Sequence, residues 1–152
     1  MILADTIGNR KGLSNMQFKP FIDAAEARAL IDAGVAAAQS EGLTMSLAVV
    51  DAAGYPLALH RMDGAGLLTA EVALRKARTA ALLRAPSRVL AERVAGDPAL
   101  LALTDYLPMA GGLPATAEGG AVAGAIGISG GNAEQDERIG NAALLGLRPA
   151  AG

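Results

Sequence analysis

The chain has 152 residues, the size of one domain, and is 52% hydrophobic and 18% charged, a balance that excludes a disordered polymer. Its formal charge of −2 offers no basic footprint and counts against nucleic acid as the main partner. The absence of cysteine rules out disulfides, thiolate metal sites and iron–sulfur clusters, and a single histidine, His60, counts against a zinc site or a conventional Ser-His-Asp triad unless subunits share residues.

The longest uncharged stretch, Gly119 to Ala133, is too short and too rich in glycine for a membrane span, which needs ~20 mostly apolar residues. Met1 to Ala4 is the only apolar run at the amino terminus, and Asp5, Arg10 and Lys11 follow it, so no signal peptide is read there. The expected compartment is the cytoplasm, and the expected partners include neither membrane nor nucleic acid.

Residues 1–20 have no clear period and are read as an arm. A first helix begins near Phe21, with Leu30, Ile31 and Val35 on its apolar stripe, and Gly42 stops it. Thr44 to Val50 is a buried strand without charges. Asp51-Ala52-Ala53-Gly54 is turn chemistry, and Tyr55 to Met62 returns as the second strand of a hairpin. Leu67 to Arg84 is a long helix, with Thr69 as its expected cap and Pro86 beyond its end. Ser87 to Ala95 is a short helix, and Asp97-Pro98 opens a further turn or two ending near Tyr106. Gly111-Gly112-Leu113-Pro114 and Glu118-Gly119-Gly120 bracket short strands, and Ala121 to Ser129 is the last strand. Asn132 caps a final helix, with Gln135 placed to close a capping box. Helices segregated from hairpins predict an α+β fold with a mostly antiparallel sheet, in one domain spanning residues 21–148 with a tail at 149–152.

Only 3% of residues are aromatic, and alanine and glycine supply much of the apolar fraction. Small side chains let elements approach closely but bury little area each. Burial between subunits is one compensation, so a homo-oligomer is expected; an alanine-favouring genome is the other explanation.

Three segments carry residues suited to chemistry. Asp51 fits a turn-capping role. Arg61 and Asp63 close the second strand and either pair with each other or line a pocket, where a guanidinium fork would hold a carboxylate. Lys76 lies on the inward row of its helix with Thr69, Val72, Ala73 and Ala80; it either stretches its stem over apolar surface or projects its ammonium into a polar pocket. Glu71 and Arg75, four apart, are expected to pair on the exposed side. The run Gly124 to Asn132 precedes a helix, so the Gly130 and Gly131 amides are candidate anion donors, although tight packing explains glycines equally. It is neither a P-loop nor a convincing dinucleotide fingerprint. Glu134, Asp136, Glu137 and Arg138 follow, where acidic groups complement the helix dipole. His60 points to the face opposite Arg61 and is the strongest nitrogen donor for haem iron, with Met16, Met45, Met62 and Met109 as weaker donors.

Taken together, the strand ending Val49-Val50-Asp51, the run Arg61-Met62-Asp63-Gly64-Ala65, Lys76-Ala77 with Thr79-Ala80, Pro86-Ser87, Gly111-Gly112-Leu113-Pro114 and Val122 to Gly130 before Asp136 resemble the GlcG/HbpS-like family, over roughly residues 22 to 147. This is the haem-binding or haem-degrading family, with related domains at the carboxyl end of some cobalamin adenosyltransferases. The chain departs from the pattern at His60, at Ala115 and at Ile139-Gly140. The resemblance implies a profilin-like α+β fold, homo-oligomers and a small-molecule ligand. It raises Arg61, Asp63 and Lys76. The candidates are then Lys76 and Asp63 for catalysis, Arg61, Gly130, Gly131 and Asp136 for ligand binding, and, on its own chemistry rather than on the resemblance, His60 as a cofactor ligand. Two functions follow: haem or another tetrapyrrole in an apolar cleft, with Arg61 or Lys76 on a propionate; or a cofactor-free lyase or isomerase acting on a small organic acid, with Arg61 and the Gly130-Gly131 amides on the carboxylate and Lys76 or an acidic partner moving a proton. A structural subunit supporting a partner enzyme is the third possibility. Under either of the first two, Arg61 and Lys76 are expected to share one recess.

Overall fold

Two hairpins meet at the middle of the sheet. β1 (Ser46–Asp51) and β2 (Pro56–Arg61) form the first, β3 (Gly112–Thr116) and β4 (Val122–Ser129) the second, and the strand order β2-β1-β4-β3 is antiparallel throughout. The computed structural model describes residues 17–103 and 105–147. Most of the expected arm, Met16 and the expected tail therefore lie outside the described residues.

The charge-free run of β1 is explained by its place: it is buried on both faces of the sheet. Leu47 and Val49 point to one side, with Leu113, Ile126 and Ile128, against α1 (Ala24–Ser40) and α4 (Ala133–Gly146). Ala48, Val50 and Ala125 point to the other, under Ala73, Ala77, Ala80 and Ala81 of α2 (Thr69–Leu83). The two sides are built differently. The first interdigitates branched side chains, whereas the second brings backbone close to backbone. Gly112 and Gly127 face each other across β3 and β4, and a Cβ on either would run into the α2 carbonyl of Lys76 or Ala73. The alanine and glycine content thus has a use inside the chain: it seats α2 directly on the sheet.

Local signals behave as their chemistry requires. Asp23 and Asn132 cap α1 and α4, each in a reciprocal capping box, the latter with Gln135. At the end of α1, Gly42 (φ 67°) donates to Gln39 and Leu43 donates to Ala38, the paired bonds of a Schellman stop. Asp51 Oδ1 accepts from the Ala53 and Tyr55 amides, both at 2.9 Å, which confirms the turn reading. Asp97 caps a 3-10 turn, Pro98–Ala102, after α3 (Arg88–Gly96). Three expectations are corrected. Thr69 does not cap α2: its hydroxyl is 2.6 Å from the Gly66 carbonyl, to which it donates, and 2.8 Å from Ser46 Oγ. Glu71 and Arg75 form no ion pair among the described residues. Phe21 precedes α1 and is exposed, since the buried stripe begins at Ala27.

Candidate functional site

Lys76 and Asp136 arrive from helices on opposite faces of the sheet and meet around the start of β3. Lys76 is the one charged residue on the buried face of α2, and Asp136 sits one turn into α4. Their side chains are each 3% exposed, with Lys76 Nζ 2.7 Å from Asp136 Oδ2. Nζ also donates to the Ile128 carbonyl at 3.1 Å, and the Gly131 amide donates to Asp136 Oδ1 at 2.9 Å. Gly111 makes the meeting possible: with φ 116° it turns the chain into β3, and a Cβ there would sit 3.0 Å from both Nζ and the Asp136 Cβ.

The pair forms the floor of a recess of about 510 Å³. Ser129 and Gly131 complete the floor. Ala91, Ala95, Pro108, Met109, Ala110 and Ala133 form an apolar wall, with Arg88 and Glu92 beside it. Arg88 binds Glu137 in a fork, Nε to Oε1 at 2.8 Å and Nη2 to Oε2 at 2.7 Å, which ties α3 to α4. Volume, apolar wall and a few convergent polar groups are the features of a small-molecule site.

Burial dominates the electrostatics. It pushes the Asp136 carboxyl above its ordinary range, against the opposing pull of the Lys76 ammonium and the Gly131 amide; neighbouring Glu137 adds to the upward push. Arg88 is half-buried, and its guanidinium is held further into the charged state by hydrogen bonding to Glu137. A carboxylate raised toward neutrality beside a fixed ammonium is suited to exchanging a proton with a ligand.

The sequence candidates divide between places. Lys76, Asp136 and Gly131 come together. Arg61 does not join them: it is exposed on edge strand β2, opposite Ser46 on the face that α2 covers, and it does not line the Lys76 recess. Nor does it pair with Asp63, which lies beyond the end of β2. His60 and Asp63 instead line a second recess of about 470 Å³, with Val35, Gln39, Gly42, Leu43, Thr44 and Met62. The Gly131 amide is taken by the protein's own carboxylate, so it is not an open anion donor. Gly130 (φ 139°) packs its α-carbon where a Cβ would lie 2.8 Å from the Thr44 carbonyl, so its role is conformational. Asp136, given a dipole role by its position, is the buried partner of Lys76.

Sequence reading missed Arg88 and Ser129. For Arg88 a signal existed. A guanidinium in the first turn of a helix opposes the helix dipole, and such a placement asks for a carboxylate elsewhere. Ser129 carried none: a serine ending a strand is ordinary.

The whole arrangement has relatives. A family model described as haem degrading protein HbpS-like matches residues 22–145. Protein GlcG of Escherichia coli is 36% identical over 115 residues, covering 75% of this chain and 85% of GlcG. A solved double mutant of HbpS from Streptomyces reticuli superposes with a TM-score of 0.83 at 35% identity, covering 94% of this chain and 97% of that one. A solved PduOC–haem complex superposes with a TM-score of 0.76 at 29% identity, covering 84% of this chain and 95% of that one. The corrinoid adenosyltransferase PduO of Salmonella typhimurium is 33% identical over 122 residues, which is 78% of this chain and 36% of that enzyme. With the sheet order, the helix placement and the matched span in agreement, the chain belongs to the HbpS-like family.

Proposed function

We propose that the chain binds haem or a related tetrapyrrole in the recess floored by Lys76 and Asp136. The observation that carries this reading is the pairing of an apolar wall, contributed by Ala91, Ala95, Pro108, Met109, Ala110 and Ala133, with a cation, Arg88, at its side. A flat apolar macrocycle with acidic side arms asks for that combination. Arg88 would hold a propionate, and the Met109 thioether would be the iron donor that the wall offers. Bound haem would supply an iron centre able to change redox state or take a small gas ligand. Likeness to the solved PduOC–haem complex supports the reading. The second recess suits it less well: His60 offers a better iron ligand, but no Lys or Arg lines that recess to hold a propionate.

Titration with haemin tests this. A saturable Soret band is expected, weakened by Met109→Ala and by Arg88→Gln and unchanged by His60→Ala. A band abolished by His60→Ala alone would move the ring to the other recess, and no saturable band would end the proposal. Self-association belongs to the same reading. Leu57 and Leu59 lie 37% and 47% exposed on edge strand β2, and Leu67 and Leu68 stand exposed just before α2. They are proposed as the contact between copies.

A further inference from the structure

The floor of the recess is better equipped than a buried ion pair needs to be. Lys76 has three N–H donors, of which two are engaged by Asp136 and the Ile128 carbonyl; the third has no acceptor among the described residues. Ser129 is 7% exposed, lines the recess, and its hydroxyl makes no hydrogen bond to the described residues. Arg88 engages Glu137 through Nε and Nη2, which leaves Nη1 without a partner among the described residues. Asp136 accepts one bond on each oxygen and so keeps a lone pair on each. Two idle donors, a carboxylate base and a guanidinium therefore border one space.

We propose that this floor catalyses proton transfer at the carbon next to the carbonyl of a small 2-oxo carboxylate, an enolisation that needs no cofactor. Arg88 Nη1 holds the substrate carboxylate. The Lys76 ammonium and the Ser129 hydroxyl donate to the 2-oxo oxygen. Asp136 takes a proton from C3; the C–H electron pair becomes the C2–C3 double bond and the carbonyl π electrons move onto oxygen. Return of a proton from Asp136 to carbon reverses each change, so the cycle consumes no oxidant or reductant. A fixed ammonium and hydroxyl aimed at the developing oxyanion are where such a site gains most of its rate. The activity does not depend on tetrapyrrole binding, although both use one recess.

The experiment follows loss of the C3 proton signal of 2-oxobutyrate in deuterium oxide by proton NMR. Wild-type protein is expected to exchange these protons well above the buffer rate. Asp136→Asn is expected to fall to the buffer rate, and Ser129→Ala to lower kcat about 100-fold. Arg88→Gln is expected to raise KM mainly, and His60→Ala to change nothing. Ser129→Ala and Arg88→Gln leave the buried pair intact, so they keep the test decisive if Asp136→Asn does not fold. Wild-type exchange no faster than buffer, or full exchange in a folded Ser129→Ala variant, overturns the proposal. Haemin-saturated protein separates the two readings: blocked exchange supports a shared recess, whereas persistent exchange removes the tetrapyrrole from it and leaves the proton transfer standing.

Discussion

Replacing Lys76 by alanine strands the Asp136 carboxylate, 2% exposed, without a countercharge. Breaking a buried ion pair from one side costs about 3–5 kcal/mol, and a loss of that size is expected in urea unfolding of Lys76→Ala. The double replacement Lys76→Met with Asp136→Leu removes both charges and is expected to recover most of it, which single-site packing loss would not allow. The pH dependence follows from the raised Asp136 carboxyl. A proton binds it more tightly in the folded chain than in the unfolded one. Its contribution to stability is therefore complete below its ordinary value of 3.8 and is lost as pH rises through the raised folded value. Glu41, lowered by its hydrogen bond to Arg138, works in the opposite direction: its contribution is present above its ordinary value of 4.5 and lost as pH falls through the lowered one. The difference in unfolding free energy between wild type and Asp136→Asn isolates the first effect. It is expected to decline with rising pH across that window and then level off.

At the level of elements, the contact of α2 with the sheet is the least forgiving in the molecule. Alanine at Gly112 or Gly127 would drive a methyl group into a backbone carbonyl of α2, and no side-chain rotation relieves that. Either substitution is expected to cost about 3 kcal/mol or more, measured by thermal unfolding. Gly34→Ala, which meets the flexible end of Leu47, is expected to cost less. This interface also marks the limit of reading from sequence. Helix and strand spans, the Asn132 capping box, the Asp51 turn and the inward position of Lys76 all follow from spacing and local chemistry, because each is decided within a few residues. The partner of Lys76 lies 60 positions away, on a helix of the opposite layer. Nothing near either residue encodes that meeting, so the expectation placed Lys76 in a shared recess with Arg61 instead of in an ion pair with Asp136. Arg61 failed for a plain reason: the strand that carries it is on the sheet edge farthest from β3, where Lys76 reaches Asp136.

For the molecule as a whole, the two sheet edges are unequal. β3 carries Pro114 in mid-strand, which lacks a ladder donor, whereas β2 has its proline, Pro56, only at its start and then carries the exposed Leu57 and Leu59. Light scattering is expected to give a mass of at least two chains, and Leu57→Glu with Leu59→Glu to return it to one; a monomeric wild type would refute the contact. Strand order has a further consequence for synthesis. β1 emerges from the ribosome early, yet its second neighbour, β4, is the last strand made, and Ser46 pairs with Ser129. Until then the nascent hairpin carries an unclosed apolar ribbon, and α1 has no α4 to lean on. Such distant pairing slows folding and prolongs exposure to aggregation. A chain halted before Val122 should therefore be a chaperone client rather than a smaller folded unit.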